Sequence, residues 1–238
     1  MQDRPPPSRL PCRHRRSGLT LNITSVAILY QAELTPSKME MLSTWVPVQA
    51  WLGDADVRTL DAVGSYRFDD PGGEVGVETH LLRSADGQVL QVPLTYRSAP
   101  MGGGEPSLIT TAQHSVLGER WIYDACGDPV YAHALATAIL TGGTQAELEL
   151  VTDTGYERRE PTTRVSGSGL PGAAVPHVGP VTYLSEGTRT IVRSGQLELT
   201  VLRVIEPRAA ANAPSADILV GTWPGQDTPA LLASARNT

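Results

Sequence analysis

Polar and apolar residues alternate along three neighbouring segments, residues 57–68, 75–83 and 89–97. Alternation with a period of two is typical of half-buried antiparallel strands. Asp86-Gly87 lies between the second and third segments and predicts a tight hairpin turn. The pattern therefore predicts a β-meander, in which Pro93 marks an edge position or a bulge because proline lacks a backbone N–H.

Two segments carry helix signals instead. In the first, Thr35 is the predicted N-cap, Pro36 the first helical residue and Pro47 the end. The second covers residues 129–140, with Asp128 as N-cap and Gly142 after its end. Further strands are predicted at residues 26–34, 146–152, 183–184, 188–192, 197–205 and 218–223. Together these elements predict an α+β fold, mainly antiparallel β-sheet with two or three helices and a small all-β C-terminal part.

Changes of composition divide the chain into four parts. Residues 1–25 are rich in Arg and Pro and predict a disordered tail, or a mis-assigned start for which Val26 is the alternative. Residues 26–155 form the predicted α+β domain, residues 156–180 a flexible linker and residues 181–238 the small β part. A signal peptide is disfavoured, because polar residues interrupt the apolar run and no clear cleavage site follows it.

The charge balance and the lengths of the apolar runs argue against some classes of partner. The chain has 19 Lys and Arg against 25 Asp and Glu, a net charge of −6, which argues against an ordinary nucleic-acid binder. No apolar run reaches the roughly 18 residues of a membrane-spanning helix, and we expect a cytoplasmic protein without a membrane partner. Cys12 and Cys126 show neither CxxC spacing nor a zinc-ligand pattern, so we predict no metal site and no disulfide.

Residues 114–128 are the densest cluster of aromatic, acidic and glycine residues, and they hold most of the candidate ligand contacts. Aromatic side chains there can stack on a sugar ring, and the polar ones can bind its hydroxyls. The candidates are Trp51, His114, Trp121, Tyr123 and Asp124. Core packing is the competing interpretation of the aromatic residues. A hydrolase built on Ser115 is disfavoured, since no Gly-x-Ser-x-Gly elbow accompanies it.

Six segments share a likeness to one known family. They are residues 32–38 (AELTPSK), 66–79 (YRFDDPGGEVGVET), 92–97 (VPLTYR), 114–118 (HSVLG), 121–129 (WIYDACGDP) and 221–226 (GTWPGQ). Over roughly residues 26–232 the chain resembles the maltokinase N-terminal cap family, in particular its short, stand-alone actinobacterial members. The resemblance implies a cystatin-like or kinase-cap-like meander. In full-length relatives the cap precedes a kinase that phosphorylates maltose or an amino sugar with ATP and magnesium, in the trehalose–glycogen pathway.

The residues that such a kinase uses are not found in this sequence. Residues 197–204 resemble the strand that carries the kinase lysine, but Arg203 stands there. Arg203 could bind phosphate as a charge, but its fixed fork is not equivalent to the ammonium of a lysine. Lys38 is the only lysine, no His is followed by x-Asp, and no Asp precedes Phe68 in a metal-binding motif. We therefore predict no catalytic residue and no cofactor.

Three hypotheses remain open from the sequence. The first is a non-catalytic interaction module for a kinase or another enzyme of maltose, trehalose or glycogen metabolism. The second is a module that binds a small sugar through its aromatic candidates. The third is a residual sugar kinase, which would need ATP and magnesium.

Overall fold

The computed structural model describes residues 26–30, 33–152, 155–206 and 217–237. The predictions for residues 1–25, including Cys12, lie outside the described residues. Strands account for 50% of the structure and helices for 17%, which confirms the predicted α+β class with mainly antiparallel β-sheet.

In the described residues, the strands form three sheets. The first sheet has the order β2 (Leu34–Thr35), β6 (Leu108–His114), β7 (Gly118–Asp124), β5 (Val89–Arg97), β4 (Gly76–Ser84) and β3 (Leu60–Phe68), and β14 (Val204–Ile205) also pairs with β5. The second sheet has the order β10 (Arg164–Gly167), β15 (Asp217–Trp223), β16 (Gln226–Asn237), β13 (Leu197–Leu202), β12 (Arg189–Ser194) and β11 (Thr182–Glu186). A small sheet joins β1 (Val26–Tyr30) in parallel to β8 (Glu147–Thr152), which pairs with β9 (Gly155–Arg159).

The predicted meander is present as β3, β4 and β5, with antiparallel pairing throughout. The bulge prediction for Pro93 is wrong, because β5 pairs Pro93 with Thr79 in an unbroken register. The edge prediction holds only locally, because β5 is an interior strand whose pairing with β14 ends at Leu90 and whose pairing with β7 begins at Leu94. The backbone N–H of Gln91 points away from β4 and donates to the carbonyl of Arg203. Pro93 lies two residues further along β5, and its backbone nitrogen faces the same side as that of Gln91. On this side, the pairing with β14 has already ended, and the pairing with β7 begins only at Leu94. No partner strand needs an N–H there, so proline is tolerated.

Helix α1 (Lys38–Trp45) starts two residues later than predicted. Ser37 is its N-cap, and a capping box joins the Ser37 and Glu40 side chains to each other's backbone N–H groups. This reciprocal pair satisfies two backbone N–H groups at the start of the helix, where no intrahelical acceptor is available. A 3₁₀ turn containing Pro47 follows the helix, and a second one, Ala50–Leu52, carries Trp51. Met41 and Leu42 of α1 share a core with Leu82, Leu90 and Ile122 on one face of the first sheet.

Helix α2 (Pro129–Thr141) lies within a second core shared by the two large sheets. Asp128 is its N-cap as predicted, and the same carboxylate accepts two bonds from Arg97 at 2.7 and 2.8 Å. Gly142 ends the helix in the left-handed conformation at φ 68°. The buried helix residues share this core with apolar side chains of both sheets, including Tyr66, Phe68, Leu81, Leu199 and Val201.

The last carbonyls of α2 are bound by the segment predicted as a linker. The N–H of Gly169 donates to Ile139 at 2.9 Å, and the N–H of Leu170 donates to Leu140 at 3.1 Å. Strand β10, which also lies in this segment, pairs with β15 of the second sheet. β16, a strand of 12 residues, had no sequence prediction, because its Ala and Ser residues carry little strand preference.

We expect Gly169→Ala to lower the free energy of unfolding by about 2 kcal/mol, because an added methyl group would overlap the Leu140 carbonyl oxygen. Gly102→Ala is the matched control, since its methyl group would meet no atom within 4 Å. Urea unfolding of both variants measures the difference. Equal stability of the two would show that the close approach to α2 is not required.

Candidate functional site

The buried ion pair between Arg203 and Asp124 joins the two large sheets. Arg203 lies between β13 and β14, and its side chain is 0% exposed. Nη2 donates to both carboxylate oxygens of Asp124 on β7, at 2.7 and 2.6 Å, and Nε donates to the hydroxyl of Thr190 on β12 at 2.8 Å. The pair thus holds a strand of the first sheet to a strand of the second.

The surroundings of Arg203 stabilise its positively charged form. Burial lowers the pKa of Arg203, but the Asp124 carboxylate raises it more, and the net pKa lies above the ordinary value. The guanidinium carbon also lies 5.1 Å from the ring centre of Trp51. The sequence interpretation of Arg203 as a charge available to phosphate is therefore corrected, because the group is sealed from solvent and already bound to a carboxylate.

Gln91 forms a second buried bridge that the sequence did not predict. Its side-chain nitrogen donates to the carbonyls of Leu202 at 2.8 Å and Leu232 at 2.9 Å, and its oxygen accepts from the Tyr66 hydroxyl at 2.9 Å. A glutamine between the apolar residues Leu90 and Val92 was the available signal, since a buried amide needs partners from outside its own strand.

The aromatic candidates do not form one surface. Trp51 is 2% exposed and packs against Trp45 in the α1 core, while Tyr123 is 1% exposed and accepts a hydrogen bond from the N–H of Met101. Neither ring offers a face to a sugar. Trp121 is half-buried and lies opposite Arg97 in the β5–β7 register. Its side chain is on the face of the first sheet opposite Trp51. The structure therefore separates the residues that the sequence grouped together as stacking candidates.

His114 organises the exposed hairpin between β6 and β7. Its Nδ1 accepts from the N–H groups of Val116 at 3.2 Å and Leu117 at 3.1 Å, and the Arg120 guanidinium donates to the Leu117 carbonyl at 2.7 Å. Burial lowers the pKa of His114, and the positive charges of Arg120, Lys38 and Arg67 lower it further. The neutral imidazole is thus the form that supports the turn.

A buried carboxylate gathers positive side chains beside His114. Lys38 Nζ and Arg67 Nη2 both bind Oε2 of Glu78, at 2.6 and 2.9 Å, and His80 Nε2 lies 3.6 Å from the same oxygen. Burial raises the pKa of Glu78, but Arg67, His80 and Lys38 outweigh it and hold the pKa well below the ordinary value. We call Lys38, Arg67, His80, His114 and Arg120 the basic cluster. Sequence reasoning missed it, because its members come from α1 and four different strands.

Two cavities lie apart from these residues. One, of about 360 Å³, is lined by residues that include Gln88, Thr188 and Val204, and the other, of about 270 Å³, by residues that include Arg164 and Trp223. None of the ligand candidates from the sequence lines either cavity. Within the described ranges, no group of three or more His, Cys, Asp or Glu residues is placed to hold a metal ion. In the same ranges, no helix has the length and apolar character needed to cross a membrane.

The matched family is the maltokinase N-terminal cap domain, whose model covers residues 45–128. This range includes the strands β3 to β7 and ends at the N-cap of α2, so the predicted resemblance is confirmed over that segment. No curated protein matches the chain. The similarity relates the chain to maltokinases and to carbohydrate metabolism. Asp124 lies inside the matched segment and its partner Arg203 lies outside it.

We expect Asp124→Asn to lower the free energy of unfolding by about 3–5 kcal/mol, because Arg203 would remain buried without its counter-charge. Asp56→Asn, which breaks an ion pair with the exposed Arg58, should leave the urea midpoint unchanged. Chemical denaturation of the two variants tests this, and an unchanged midpoint in Asp124→Asn would contradict a joining role for the pair.

We expect acid to loosen the β6–β7 hairpin through His114. Since its folded pKa lies below its unfolded pKa, the stabilising contribution is complete above about pH 6.5 and is lost as the pH falls towards the folded pKa. Amide exchange of Val116 and Leu117 between pH 7.5 and 5 should therefore accelerate beyond the intrinsic trend. His114→Gln should remove this pH dependence, whereas His177→Gln, at an exposed position, should keep it.

Proposed function

We propose that the protein is a non-catalytic interaction module that binds a kinase-like enzyme of maltose, trehalose or glycogen metabolism. The observation that carries the proposal is the buried contact between Arg203 and Asp124. In the strand that resembles the lysine-bearing strand of a kinase, the cationic side chain serves as a buried joint to Asp124 and cannot reach a nucleotide phosphate. Arg203 therefore has a structural role instead of a catalytic one.

The lone lysine supports the same conclusion. Lys38 is bound to Glu78 and belongs to the basic cluster on the first sheet, whereas Arg203 lies in the joint between the two large sheets. The matched family supplies the class of partner, since the cap domain is named for its place in maltokinase. A protein with this domain and without the kinase residues is suited to binding a kinase-like enzyme or one of its ligands.

Strand β11 is the edge at which such a partner can add a strand. In the described part of the chain, β11 has a single neighbour, β12, while the other edge of the second sheet, β10, is bridged to Thr144 and bonded to the Gln145 side chain. Leu184 points outward from β11 and is exposed, whereas Tyr183 packs against the core. An exposed edge with an outward apolar side chain favours strand addition by a partner.

We expect the protein to bind a maltokinase catalytic domain from which its own cap has been removed, and Leu184→Arg to weaken this binding about tenfold or more. Leu170→Arg is the matched control, because Leu170 is also exposed but lies outside β11. Calorimetry measures both variants against the unchanged protein. Absence of binding by the unchanged protein would refute the proposal, and equal weakening by both variants would refute docking at β11.

The alternative implied by the resemblance, a sugar-kinase-related protein that binds ATP, is tested with the same preparation. A ligand at one hundred times its dissociation constant stabilises the folded state by about 2.7 kcal/mol, which appears as a rise in melting temperature. A rise with Mg-ATP, accompanied by ATP turnover, would replace the proposal by the kinase alternative. A rise with maltose or trehalose alone would replace it by a sugar-binding module.

A further inference from the structure

The basic cluster concentrates positive charge on an acidic protein. Lys38 and Arg67 carry permanent charges and both bind the Glu78 carboxylate, and Arg120, a third permanent charge, acts on the neighbouring His114. The chain as a whole has a net charge of −6. Neutralising one buried carboxylate needs one cation, so the other two leave a local excess of positive charge that the stability of Glu78 does not explain.

The register of the first sheet brings these side chains to one place. Arg67 of β3 lies directly opposite Glu78 of β4, and Arg120 of β7 lies opposite Ala112, whose side chain belongs to the α1 core. Arg120 is therefore on the same face as α1, and Lys38 is the first residue of that helix. The cluster lies where the sheet face meets the start of α1.

The cations of the cluster are partly screened from water but reachable. The Lys38 side chain is 38% exposed and the Arg67 side chain 19%, and both His114 and Arg120 are half-buried. Arg120 binds the Leu117 carbonyl, while its Nε has no partner among the described residues. Arg120, Lys38 and Arg67 all act on His114 with their positive charges. Partial burial strengthens the attraction of such groups for an incoming anion.

We infer that the basic cluster binds the phosphate group of a small phosphate monoester. The three permanent cations of the cluster and the Glu78 carboxylate leave two excess positive charges, which match the charge of −1.5 to −2 on a phosphate monoester at neutral pH. Two arginines and a lysine supply the forked and point-charge donors that phosphate oxygens accept. The site lies on the first sheet and is separate from the β11 edge, so it does not rest on the proposed docking function.

Nuclear magnetic resonance titration at constant ionic strength tests the inference. Inorganic phosphate and glycerol 1-phosphate are added separately to the whole protein, with sodium chloride as the ionic control. The expected result is saturable shifts of the amides of Val116, Leu117 and Gly118 with the monoester. Saturation with inorganic phosphate alone would correct the ligand to the free anion and overturn the monoester, and linear shifts equal to those with chloride would overturn the site.

Two variants separate the cluster from general charge effects. Arg120→Gln and Lys38→Gln should each weaken monoester binding about tenfold or more, since each removes a charge-assisted bond. Arg164→Gln, an exposed arginine paired with Glu160 in another sheet, should change binding less than about twofold. Equal weakening in all three variants would overturn the inference, and so would unchanged binding in folded Arg120→Gln and Lys38→Gln.

The titration of His114 provides a readout that a purely structural cluster would not move. A bound dianion beside the imidazole favours its charged form, so saturating monoester should raise the pKa of His114. His177, which is exposed and outside the cluster, serves as the internal reference in the same spectra. An unchanged His114 titration under saturating monoester would overturn binding at this place.

Discussion

The contact between Arg203 and Asp124 is the constraint on which the arrangement of the two large sheets depends. A buried guanidinium without a counter-charge is costly, so the carboxylate end of β7 has to meet the bend between β13 and β14. Once that contact forms, Val204 reaches β5 and Thr190 receives the third guanidinium bond. One ion pair thereby specifies which parts of two sheets are neighbours, although its net contribution to stability is smaller than the cost of breaking it.

The cap-like segment is consequently completed by residues outside the family match. β14 extends the first sheet along β5, and the buried amide of Gln91 is satisfied only by carbonyls of Leu202 and Leu232. Helix α2 lies just beyond the matched range and is shared by both large sheets. The matched segment and the C-terminal strands thus share the hydrophobic core around α2, and the buried Arg203–Asp124 pair links the same two parts of the chain.

The same physical rule operates at Glu78 with a different outcome. Its carboxylate is buried and has several cationic neighbours, whereas Asp124 forms an ion pair with a single buried arginine, Arg203. Excess positive charge would destabilise a fully buried site, but at the partly exposed edge of a sheet the same charge can attract an anionic ligand. His114 links this edge to the hairpin, since its neutral ring holds the turn while it lies in the field of the cluster.

The sequence by itself determined the meander, the second helix and its Asp128 cap, because period-two alternation, turn residues and N-caps are local properties. It also carried the family resemblance over the matched segment. Only the tertiary structure decided the pairing of Arg203 with Asp124, the burial of Trp51 and Tyr123, and the assembly of the basic cluster. These depend on sheet register and on contacts between residues distant along the chain, for which alternation and spacing hold no information.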